Sequence, residues 1–77
     1  MQIEILTADK SIFNGEATLA NFPGKDGSFG VMNDHAPMIA ALKKGNIVIT
    51  TTNGEQSFEV SGGVVEVLKN KVMVLAE

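Results

Sequence analysis

The sequence predicts an all-β protein, a flattened sandwich or barrel of about ten short strands. Three observations predict it. No stretch of ten or more residues sets apolar side chains at helical spacing. Apolar and polar residues instead alternate in runs of about five to seven, the period of a half-buried strand. Turn-forming clusters interrupt these runs about every eight to twelve residues, as sandwiches and barrels require. Residues 1–77 read as one domain, with no internal repeat, linker or low-complexity tract.

The elements follow in order. Ile3 and Ile5 alternate with Gln2 and Glu4 as a first strand, and Thr7 to Ser11 is a polar turn. Ile12 and Phe13 lead into Asn14-Gly15, a turn pair. From Glu16 to Phe22 the pattern alternates again, with Ala17 and Leu19 on one face and Thr18 and Ala20 on the other. Met38 to Leu42 is a continuous apolar run of strand length that stops at Lys43-Lys44-Gly45. Ile47 to Thr52 is dense in β-branched residues. Asn53-Gly54 then marks a hairpin whose returning strand, Glu55 to Val60, sets Gln56, Phe58 and Val60 on one face. After the break at Ser61-Gly62-Gly63, Val64–Leu68 pairs with Val72–Leu75 across Lys69-Asn70-Lys71.

Between the Glu16–Phe22 pattern and the Met38–Leu42 run lies Pro23 to Pro37, the most irregular stretch. It holds three of the eight glycines, both prolines and the only histidine. Gly24, Gly27 and Gly30 recur every third residue, which suits tight turns at positive φ and close backbone packing. Phe29 and Val31 are apolar residues among turn formers, so part of the loop folds back onto the body. An ordered loop between strands reads as a docking surface rather than a catalytic centre.

Composition narrows the function classes. The chain carries six lysines, no arginine and nine acidic residues, for a net charge of −3. Scattered lysines and four aromatics that are all phenylalanine lack the basic, aromatic-interleaved face of a nucleic-acid binder. With no cysteine and one histidine, neither a disulfide nor a zinc site is available. A chain of this size buries only about 60% of its unfolded surface, so its expected external support is a protein partner. No apolar run approaches the roughly 20 residues that span a bilayer, and Met1 leads directly into a strand pattern. A soluble protein acting where it is made is expected.

Three constellations invite chemical readings. His35 has Asp34 beside it, but adjacent residues of an extended chain face opposite ways, and no nucleophile turn is present. Gly24-Lys25-Asp26-Gly27-Ser28 lacks the spacing and the following helix of a phosphate loop, and Asp26 sits where phosphate would. Asp9-Lys10 in a turn resembles the modified lysine of lipoyl or biotinyl carrier domains, which is the rival reading. In those domains the lysine lies mid-chain, whereas Lys10 comes early. Glu55, Glu59 and Glu66 read as the solvated side of a sheet, and Met32 and Met38 flank the loop.

Fragments in order along the whole chain carry a resemblance. They are Phe13-Asn14-Gly15, Pro23-Gly24 with Gly27 to Val31, His35-Ala36-Pro37, Leu42 to Gly45, Val60 to Val67, and Val72 to Glu77. Together they resemble the N-terminal β-sandwich domain of the epsilon subunit of rotary ATP synthases, the subunit named delta in mitochondria. The resemblance implies a non-catalytic central-stalk subunit that couples rotor-ring rotation to the gamma subunit. By position it implies that Asp26, Gly27, Ser28 and Phe29 meet the rotor ring of c subunits, and that His35, Met38 and Ala40 approach gamma. Ser28 stands where relatives often carry an acid.

It implies no cofactor, no membrane insertion, and a peripheral place on the cytoplasmic face of the bacterial plasma membrane. Most members continue into a two-helix hairpin that can inhibit ATP hydrolysis or bind ATP. Neither helix-mediated inhibition nor an ATP site is therefore expected of these 77 residues.

Overall fold

The computed structural model describes all of residues 1–77. Nine strands form and no helix: β1 (Gln2–Leu6), β2 (Ser11–Glu16), β3 (Leu19–Phe22), β4 (Phe29–Met32), β5 (Met38–Leu42), β6 (Gly45–Thr51), β7 (Gly54–Val60), β8 (Gly63–Leu68) and β9 (Lys71–Ala76). They make a five-stranded sheet, β2-β1-β9-β8-β5, and a four-stranded sheet, β4-β3-β6-β7. The all-β sandwich is as the sequence predicts. Nine strands stand where about ten are expected, and an isolated bridge joins Gly24 to Leu42 of β5.

Alternation decides which residues enter the core. Ile3, Ile5, Val65, Val67, Val72 and Val74 face inward from the five-stranded sheet. Ala20, Phe22, Val31, Ile47, Ile49 and Val60 meet them from the other, in one cluster of 15 buried residues. A shortest extent of 18 Å fits two sheets packed about 10 Å apart with their outward side chains. Each open side of the sandwich is clasped. On one, Phe13 of β2 packs on Phe58 of β7, with ring centroids 5.6 Å apart. On the other, the chain between β3 and β4 crosses over to bridge β5.

Local expectations fail where pairing overrules them. Asn14-Gly15 makes no turn, because Asn14 pairs with Glu4 and Gly15 with Ile3 within the β1–β2 ladder. That hairpin turns earlier, where Thr7 N–H donates to the Lys10 carbonyl at 2.8 Å. The β6–β7 corner is Thr52-Asn53, with Gly54 (φ 113°) already paired to Thr51. The alternation read from Glu16 to Phe22 is interrupted at Ala17-Thr18, where the chain leaves one sheet for the other. Ala20 and Phe22 therefore face the core, and Leu19 faces outward. The last hairpin turns on Lys69-Asn70 alone, since Lys71 pairs with Leu68.

The parallel pairing of β1 with β9, Ile3 beside Val72 and Ile5 beside Val74, is a contact the sequence pattern does not announce. It joins the two ends of the chain in the middle of one sheet.

Candidate docking surface

The loop between β3 and β4 is built on two phenylalanines. Phe22 and Phe29 are opposite each other in the β3–β4 ladder, and their rings stack 5.5 Å apart at 30°. Gly24 lies against this pair. A Cβ there would come within 2.9 Å of the Phe29 ring and 2.3 Å of the Gly27 carbonyl oxygen, so the turn closes only around a glycine. Gly27 supplies the one positive φ, 133°, in the loop, while Gly30 lies in β4 opposite Asn21. The three evenly spaced glycines thus do different things. Lys25, Asp26, Gly27 and Ser28 stand out in solvent above the anchored Phe29.

Of the ring-facing residues named from the sequence, Asp26, Gly27 and Phe29 line a groove of about 400 Å³. Its opposite wall is β5, and includes Met38 and Ala40, two of the three residues named for gamma. The two predicted sets therefore meet across one groove. Ser28 and His35 are not among its lining. His35 is half-buried in the β4–β5 connection, its N–H donating to the Met32 carbonyl at 3.3 Å and its Nδ1 2.7 Å from the Ala36 carbonyl oxygen. Neighbouring residues pin that connection: Asn33 Oδ1 accepts from the Met1 amino group, and Asp34 N–H donates to Asn70 Oδ1 at 2.9 Å. Asp34 takes φ 65°, a price of this tight turn.

Met38 and Ala40 are half-buried and pack against the core. The residue between them, Ile39, points the other way and is 72% exposed. It belongs to an apolar field on the outer face of the five-stranded sheet that sequence reasoning did not single out. Leu75, Leu68 and Val64 are 58%, 47% and 44% exposed on the same face. The registers place Ala41, Val64, Leu75 and Leu6 in one row across it, and Ile39, Glu66, Met73 and Glu4 in the next. Glu66, read as part of a solvated face, stands among apolar neighbours.

The outer face of the other sheet is more polar, carrying Asn21, Asn46, Thr50, Glu55, Ser57 and Glu59 beside Leu19, Val48 and the 64% exposed Met32. A signal for the apolar field was present: the run Met38–Leu42 does not alternate, and a strand apolar on both faces is one covered on both faces.

The rival lysine stands in an ordinary setting. Lys10 is exposed in the β1–β2 turn, with its N–H donating to Thr7 Oγ1 at 3.2 Å and its carbonyl accepting from the same threonine.

The family described as ATP synthase, Delta/Epsilon chain, beta-sandwich domain matches residues 1–77. The ATP synthase epsilon chain of Xanthomonas euvesicatoria pv. vesicatoria (strain 85-10) is 45% identical over 78 residues, covering 100% of this chain and 56% of that protein. That of Stenotrophomonas maltophilia (strain K279a) is 46% identical over the same shares. The chain thus spans little more than half the length of these relatives.

Among solved structures, a chain of the Euglena gracilis mitochondrial ATP synthase (OSCP/F1/c-ring) superposes with a TM-score of 0.89 at 19% identity, over 96% of this chain and 48% of that one. A chain of the Tetrahymena thermophila mitochondrial ATP synthase central stalk and c-ring gives 0.82 at 18% identity, over 97% and 61%. At such identities these two show the shared fold. The family match over the full length and the epsilon-chain relatives carry the rest, and with them the carrier reading of Lys10 falls away: the chain belongs to the family of ATP synthase delta/epsilon-chain beta-sandwich domains.

Proposed function

We propose that this chain is a non-catalytic central-stalk subunit of a proton- or sodium-translocating F-type ATP synthase, coupling rotation of the c-subunit ring to gamma. Such a part transmits torque, which asks for a rigid body with two contact surfaces. The observation that carries the reading is the asymmetry of the sandwich. One outer face exposes four large apolar side chains, Ile39, Val64, Leu68 and Leu75, whereas the other is mostly polar and exposes one, Met32.

Contiguous exposed apolar area on a small domain marks a protein contact, and we assign this face to gamma, together with His35, Met38 and Ala40. The exposed tip Asp26-Gly27-Ser28 over its Phe29 anchor is assigned to the ring, which it would meet through backbone and hydroxyl groups more than charge. The chain would then work peripherally at the cytoplasmic face of a bacterial plasma membrane.

Co-expression with the gamma subunit of the same organism, followed by size exclusion, tests the reading. A stable one-to-one complex is expected. A folded domain that elutes alone in the presence of folded gamma would sink it.

A further inference from the structure

β5 is the outermost strand of the five-stranded sheet, and only part of its outer edge is paired. Lys25 N–H donates to the Ala41 carbonyl and Lys43 N–H to the Pro23 carbonyl, each at 2.9 Å, around the Gly24–Leu42 bridge. These bonds fix the parity of the strand. Ala41 and Lys43 turn their peptide groups away from β8, and so must Ile39, two residues earlier. The Ile39 N–H and carbonyl and the Ala41 N–H therefore point off the sheet, and none of them joins the backbone bonds outside the ladders. One step further, Pro37 has no N–H to offer. The open edge is a short slot, bounded by Pro37 at one end and by the Gly24 bridge at the other.

The slot opens into the groove between β5 and the Gly24–Phe29 loop. Only an extended backbone matches alternating N–H and carbonyl groups at strand spacing. β7, an edge of the other sheet, carries Glu55 and Glu59, the charges that discourage pairing, whereas Met38–Leu42 carries none. At the bridged end, Lys25, Lys43 and Lys44 are exposed, and the chain's ion pair, Met1 with Glu16, involves none of them. Asp26 on that loop and Glu77 beside Gly62 and the Leu42 carbonyl are the acids at this end, so the three lysines leave the local field net positive.

We propose that this slot takes an extended segment of the gamma partner, added to β5 as a short further strand with an acidic side chain toward the Gly24 end. The proposal rests on the central-stalk reading and adds to it the mode of contact. Amide hydrogen exchange at Ile39 and Ala41, measured in the domain alone and in its complex with gamma, tests it. Both amides should exchange freely alone and slow by at least about tenfold in the complex. Ala41→Pro deletes an outward N–H that the β8 ladder does not use, and should loosen the complex about three- to tenfold more than Ala41→Ser, which changes the same side chain and keeps the N–H.

A complex in which both amides exchange as fast as in the free domain overturns strand addition and leaves the stalk reading standing. So does an Ala41→Pro variant that folds and binds like Ala41→Ser. Failure of the pair to assemble at all overturns both.

Discussion

At the scale of single residues, Phe29 carries the most weight in the loop that faces the groove. Its position among turn formers shows in the sequence that it folds back, and the stacked Phe22 ring shows onto what. Because Phe29 is half-buried, Phe29→Ala should cost about 2–4 kcal/mol, a range shifted below the ~3–5 of a fully buried phenylalanine. Thermal melting of the isolated domain reads this directly; an unchanged Tm would mean that the ring does not anchor the loop. Gly24→Ala should cost about 1–3 kcal/mol through overpacking, since its new methyl meets the Phe29 ring and a backbone carbonyl, neither free to move away. Gly27→Ala strains φ but meets no atom within 4 Å. Sequence alone could not rank these glycines, because spacing does not reveal what lies opposite each one.

At the scale of elements, local signals were legible where they agreed with the pairing around them and misleading where they did not. Asn14-Gly15 has turn chemistry, yet Ile3 and Glu4 hold it in a strand. Lys69-Asn70 has weaker turn chemistry, yet both residues adopt left-handed φ, 51° and 61°, as a two-residue hairpin demands. Asn70 also fastens a second element, because its Oδ1 accepts from Asp34 N–H and its carbonyl from Gln2 N–H at 3.2 Å. Asn70→Ala removes the side-chain acceptor and the residue best suited to that φ, and should cost about 1–2 kcal/mol. Lys69→Asn should gain about 0.5 kcal/mol by easing the left-handed position. In a domain of this size each kcal/mol moves Tm by about 4–8 °C, so opposite shifts are measurable side by side. A fall in Tm for Lys69→Asn would mean that the turn is held by something other than its backbone preference.

At the scale of the whole molecule, the sandwich was legible and its orientation toward partners was not. Alternation tells which residues of a strand share a face, but not which sheets neighbour one another, so the apolar rows across β5, β8, β9 and β1 appear only once those strands are ordered. The parallel β1–β9 pairing brings Leu6 beside Leu75, extending a row that hairpin signals alone would have ended at β9. That row gives a test in which stability and assembly separate. Leu75→Lys replaces a 58% exposed side chain that contributes little to the core, so the free domain should melt within about 0.5 kcal/mol of the parent.

Binding to gamma should nevertheless weaken by at least tenfold, about 1.4 kcal/mol, because a charge would have to be buried without a partner. Ser57→Lys, on the polar outer face of the four-stranded sheet, serves as the control and should alter neither quantity. Equal losses of binding for both would mean that the contact is spread around the sandwich. A loss for Ser57→Lys alone would place gamma on the polar face and reverse the assignment. Because both variants leave the 15-residue core untouched, the comparison weighs one face against the other in the same rigid body.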